Sequence, residues 1–166
     1  MKPASLAIIK KELKTLSNDD LMATCLRLAK SKKETKELLN YLLFEANSED
    51  DYINTVKEDV VEGFKTINAS SFYFAKKTIR KVLRITNKHI KFSDEKKTEI
   101  ELLIFFCQTF NQQNLNFSES KVMINLYANI IKKIDKGLAS LHEDLQFDYN
   151  DEVQNLKEQK HYENDK

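Results

Sequence analysis

A chain of 166 residues that holds two glycines and one proline has very little in it that stops a helix. An average composition would contain about 12% of these two residues. Sandwiches and barrels rich in hairpins need Gly, Pro and Asn-Gly at their many turns. A phosphate-cradling loop needs clustered glycines. Both classes are excluded, and helices joined by short polar breaks remain.

The apolar spacing is helical along most of the chain. Leu6, Ile9, Leu13 and Leu16 predict a short first helix. Ser17-Asn18-Asp19-Asp20 offers oxygen side chains to free backbone N–H groups and opens a second, with Leu21, Cys25 and Leu28. A third follows Ser31, with Leu38, Leu39, Leu42, Leu43 and Ala46 on one side. Asn47-Ser48 caps a fourth, whose first turn holds Glu49, Asp50 and Asp51 at the positive end of the helix dipole. The break 68–71 precedes a fifth, running to Phe92. Ser93-Asp94-Glu95 starts a sixth, over about 94–112. Its stretch from Ile100 to Phe110 is apolar nearly all round, which places it at the centre of a bundle. A seventh runs from about Ser120 to Leu145, with Met123, Tyr127, Ile130, Ile134, Leu138 and Leu141 at three- and four-residue steps.

The expected fold class is therefore all-α, with about seven helices in an irregular bundle or a short HEAT-like stack of helical pairs. The expected organisation is one helical domain over 1–146. Apolar spacing fades after Gln146, so 147–166 reads as an acidic, flexible C-terminal tail. The length suffices to enclose a core. Cys25 and Cys107, both in apolar segments, make no disulfide framework and suit a reducing, cytoplasmic setting. The apolar stretch near the N-terminus is too short for a signal-peptide core, and the longest apolar run, Leu102 to Cys107, is too short to span a bilayer. No membrane association is expected.

Motifs that carry chemistry are weak. Glu158-x-x-His161 has the spacing of a di-iron ligand pair, but such a site needs two copies and further glutamates. Asp148-x-Asn150-x-Glu152 opens like a calcium loop, but Val153 and Gln159 stand where Gly and Glu are required. The cysteines sit on apolar faces, where a thiol is a small hydrophobe. His89 falls at the edge of its helix's apolar face and reads as structural. The carboxylate clusters at 49–51 and 94–95 are explained as helix starts. No catalytic residue, metal ligand or cofactor is assigned, and an enzyme would need a site assembled across helices.

Charge is the informative feature. The net charge is +1 overall, yet it is +4 over 1–44, −6 over 45–62, +8 over 63–93, zero over 94–140 and −5 over 141–166. At about 100° per residue, Arg80, Lys81, Arg84, Lys88 and Lys91 fall within about 60° of Lys77. Phe72, Ala75, Ile79, Val82, Leu83 and Ile90 occupy the opposite side. The stripe Lys77, Arg80, Lys81, Arg84, Lys88, Lys91 spans about 21 Å along the axis. Like charges one turn apart repel, so three partners come into question: the acidic helix 49–62, a nucleic acid along 76–91, or an acidic protein, another copy of the chain included. Tyr73 lies on the stripe side, where it could stack on a base. The expected function is that of a non-enzymatic, macromolecule-binding helical domain whose partner is acidic.

Overall fold

The computed structural model describes residues 2–113, 115, 117 and 120–158. The described residues form eight α-helices and no strands. None of these helices is long and apolar enough to cross a membrane. The chain divides into two compact units, 1–44 and 45–166, where a single unit over 1–146 is expected.

The first unit contains α1 (Leu6–Leu13), α2 (Asn18–Ser31) and α3 (Lys33–Asn40), which runs on into a π-helical turn, Tyr41–Glu45. Ser17 caps α2 as its sequence position requires: its Oγ accepts from the Asp20 N–H at 3.1 Å. α2 and α3 pack on each other. Some forty residues enclose little, and among the described residues of this unit Tyr41 alone is buried. Cys25 is exposed, and so are Leu28, Leu42 and Leu43, contrary to the buried faces expected for them. The π turn adds a residue to its ring, so the apolar face read through α3 at 3.6-residue spacing does not continue past Asn40.

The second unit is a helical bundle: α4 (Glu49–Lys65), α5 (Phe72–Ser93), α6 (Lys96–Asn111), α7 (Lys121–Leu138) and α8 (Glu143–Glu158). α6 touches α4, α5, α7 and α8, whereas in a stack each pair meets only its neighbours. Its all-round apolarity is thereby used: Leu102, Leu103, Phe106, Cys107 and Phe110 are each at most 1% exposed. Phe105 is the exception. It is only half-buried, with the Lys57 ammonium 5.7 Å from its ring centroid. Around α6 the rings form a chain, Phe64 against Phe106 at 5.2 Å and Phe110 against Phe117 at 4.8 Å. α4 and α5 approach closely at Gly63, where an added Cβ would meet Val82 Cγ2 at 2.7 Å.

Helix ends follow the polar breaks. Asn68 Oδ1 accepts from the Ser70 N–H at 3.0 Å and turns the chain into α5. α5 stops at Asp94, whose φ of 57° is left-handed and whose N–H donates to the Ile90 carbonyl. The expected helix 120–145 is two helices. Ser140 Oγ donates to the Gly137 carbonyl at 2.6 Å and helps end α7. The chain then restarts as α8, which takes in residues 147–158 of the expected tail. Val153 and Leu156 on α8 are buried, at 3% and 2% exposed. The two lie three residues apart among charged neighbours, too thin a stripe to register as periodicity. Residues 159–166 lie outside the described residues.

Candidate functional site

α5 forms because its aliphatic residues recur on one face, and that face seals against the core through Ala75, Ile79 and Val82. The same turns therefore push the cations outward. Lys77, Arg80, Lys81, Arg84 and Lys91 are exposed, and Lys88 is half-buried with its ammonium 5.7 Å from the Phe92 ring centroid. The stripe is one continuous face, as its spacing requires.

The acidic residues of α4 have partners at the α5–α6 junction and at the ends of α4 itself. The Glu49 carboxylate accepts from the Ser93 hydroxyl and, at 2.5 Å, from Thr98 Oγ1. Asp50 pairs with Lys97 at 3.1 Å, Asp51 accepts from Ser48 Oγ at 2.5 Å, and Glu62 pairs with Lys65 at 2.6 Å. With the described residues, Lys77, Arg80, Lys81, Arg84 and Lys91 make no ion pair. The reason is directional. α4 meets the apolar side of α5 where Gly63 sits against Val82, and Glu49 in its first turn bonds Ser93 and Thr98 at the α5–α6 junction.

A groove that the sequence does not reveal runs beside the stripe, between α5, α6 and α7. It encloses about 510 Å³. Leu83, Leu103, Val122, Leu126 and Ile130 form its floor, and Arg80, Asn87, Asn125, Asn129 and Lys133 its rim. Among the described residues no carboxylate, histidine or cysteine lines it. Lys133 is fixed from both sides, donating to Asn87 Oδ1 at 3.2 Å and pairing with Glu99 Oε1 at 2.8 Å. Asn87 Nδ2 donates back to the Leu83 carbonyl at 2.9 Å. The rim joins residues from helices some forty positions apart, so no local pattern could have announced it.

Glu99 holds the base of this arrangement. Burial pushes its carboxyl up, and hydrogen bonds from Lys133 and Lys96 more than reverse this, leaving it below its ordinary value of 4.5. A depressed carboxyl pKa contributes stability at pH values above 4.5, and that contribution is lost as pH falls through the lower folded value. Glu99→Gln is therefore expected to cost about 1 kcal/mol near neutral pH, discounted because both lysines are half in water. The cost should shrink as pH falls below 4.5 and on through the lower folded value. Urea denaturation of both proteins at neutral pH and across that acid range reads this. A gap that persists in acid would assign it to packing.

The remaining candidates are structural in their contacts. The Tyr52 hydroxyl lies 2.8 Å from His89 Nδ1 and donates to the His89 carbonyl, tying α4 to α5. Cys107 is fully buried, and desolvation pushes its thiol up. Asp148, Asn150 and Glu152 lie on a helix and not in a loop, and Glu152 accepts from Gln108 Nε2 at 2.8 Å. His161 lies outside the described residues. Among the described residues no three His, Cys, Asp or Glu side chains converge as metal ligands. The aromatics opening α5 are exposed, Phe72 among them although its spacing puts it on the apolar side: Tyr73 69%, Phe74 52% and Phe72 36%. Tyr73 and Phe74 pack edge to face with centroids 5.4 Å apart.

No family model, curated protein or solved structure matches this chain.

Proposed function

We propose that this protein is a non-enzymatic helical binding domain that takes an acidic protein partner on the basic face of α5. The observation that carries the reading is the row of five exposed cations with no ion pair among the described residues. Each like-charge neighbour one turn away costs the helix a few tenths of a kcal/mol. An external polyanion offsets that cost and gains from every neutralised charge.

A protein is favoured over a nucleic acid by what flanks the stripe. The neighbouring groove has an aliphatic floor, which suits leucine-like side chains and offers a phosphate backbone nothing. Base stacking needs open aromatic faces, and Tyr73 and Phe74, the most exposed aromatics of α5, pack edge to face on each other. Among the described residues the groove also has no carboxylate, histidine or cysteine to act as general base or nucleophile.

Fluorescence anisotropy with labelled polyglutamate and with mixed-sequence DNA, single- and double-stranded, tests this. Polyglutamate is expected to bind at low salt and to weaken as salt rises. Arg80→Glu with Arg84→Glu should weaken it by at least about tenfold. The double variant should fold as well as the wild type or slightly better, because the new glutamates meet Lys76, Lys77, Lys81 and Lys88 three or four residues away, against a single repulsion between the two glutamates themselves. Loss of stability would instead place the stripe's partner within the chain. Binding of DNA but not polyglutamate, with a salt slope of roughly 0.7–0.9 per phosphate, would transfer the site to nucleic acid. No binding of either polymer at low salt ends the proposal.

A further inference from the structure

The α5–α7 groove has a shape and chemistry more specific than the stripe alone. We infer that it is the seat of an acidic amphipathic helix from the partner protein, an inference that rests on the binding reading above.

Backbone hydrogen bonding restricts what this groove can accept. Both walls are α-helices, whose N–H and C=O groups are spent on their own turns. They present no edge to which an extended peptide could add as a strand. A segment entering an aliphatic groove must then satisfy its own backbone, and a helix does so. On α7 the groove residues Val122, Asn125, Leu126, Asn129, Ile130 and Lys133 recur at three- and four-residue steps. That is one helical face, laid alongside α5. A third helix would rest in the trough between the two, with apolar side chains at i, i+3, i+4 and i+7 directed at the floor.

Charge then selects the occupant. The α5 wall carries no acidic residue over its whole length. On α7, Lys121, Lys132, Lys133 and Lys136 are exposed, and the lone acid of that helix, Asp135, pairs with Lys157 at 2.7 Å. A helix lying in the trough has Arg80 on one rim, while Lys133 on the other is already paired with Glu99 at 2.8 Å, so glutamate or aspartate is favoured on the flank that faces α5. The rim asparagines can both donate and accept, and so can meet polar groups at the occupant's edges.

The test uses three labelled probes: a synthetic helix with leucine at i, i+3, i+4 and i+7 and glutamate elsewhere, a scrambled peptide of the same composition, and polyglutamate. The amphipathic helix is expected to bind at least about tenfold tighter than its scramble. Val122→Asp changes the floor without threatening the fold. Val122 is 46% exposed and sits in the first turn of α7, where an acid is favourable. It should abolish most of the preference for the amphipathic helix while leaving polyglutamate binding within about twofold, since the rim charges remain. Equal binding of the helix and its scramble overturns the inference. If polyglutamate still binds in that case, the stripe reading survives by itself. Failure of all three probes removes both. Sedimentation showing a wild-type dimer that Val122→Asp dissociates would make a second copy the occupant and overturn the inference.

Discussion

Phe106→Ala is expected to lower the stability of the fold by about 3–5 kcal/mol. Phe106 is wholly buried at the centre of α6 and meets the Phe64 ring at 5.2 Å. Its removal forfeits the transfer energy of an aromatic ring and leaves a cavity that four surrounding helices cannot all relax into. A domain of this kind has only about 5–15 kcal/mol to lose. The neighbouring Phe105→Ala provides the contrast. Phe105 is half-buried under Lys57, so its loss should cost about 1 kcal/mol, near the middle of the range for ordinary substitutions. Urea denaturation of the two variants measures the difference. Equal costs would mean that α6 is rotated about its axis relative to the packing described.

Ending the chain after Tyr149 is expected to cost about 3–6 kcal/mol, or about 1.5–3 for each aliphatic side chain removed from the core. The side chains are Val153 and Leu156, both nearly inaccessible. Their loss also strips partners from the helices beneath. The Tyr127 hydroxyl donates to the Leu156 carbonyl at 3.2 Å, and Gln108 and Asp135 engage Glu152 and Lys157 at 2.8 and 2.7 Å. Leu156→Ala keeps the backbone and should alone cost about 2–5 kcal/mol. Thermal and chemical unfolding of the truncated chain are the measurements. A midpoint unchanged from the full chain would show that α8 adds nothing to the bundle, as the acidic composition of 147–166 suggests.

The site was legible to different depths. The cationic stripe on α5 is local, because all its members share one helix and a period of 3.6 residues places them. That Lys77, Arg80, Lys81, Arg84 and Lys91 make no ion pair with the described residues is tertiary, since the acids of α4 could have faced them. They turn instead to Ser93, Thr98 and Lys97. The groove combines Leu83 and Asn87 with Val122, Leu126 and Lys133, and only the packing of α5 and α7 over α6 brings those positions together.

The division is physical. Scarcity of Gly and Pro and the step of apolar residues act within a few residues, so the sequence by itself determined that the chain is all-α, where most helices break, and that α6 lies at the centre. Whether a helix with two apolar residues among many charged ones docks depends on a vacant apolar face elsewhere. The bundle supplied one to Val153 and Leu156 on α8. The orientation of α6 about its own axis, which buries Phe106 and leaves Phe105 at the surface, was open in a sequence apolar all round. Only the simultaneous packing of α4, α5, α7 and α8 decided it.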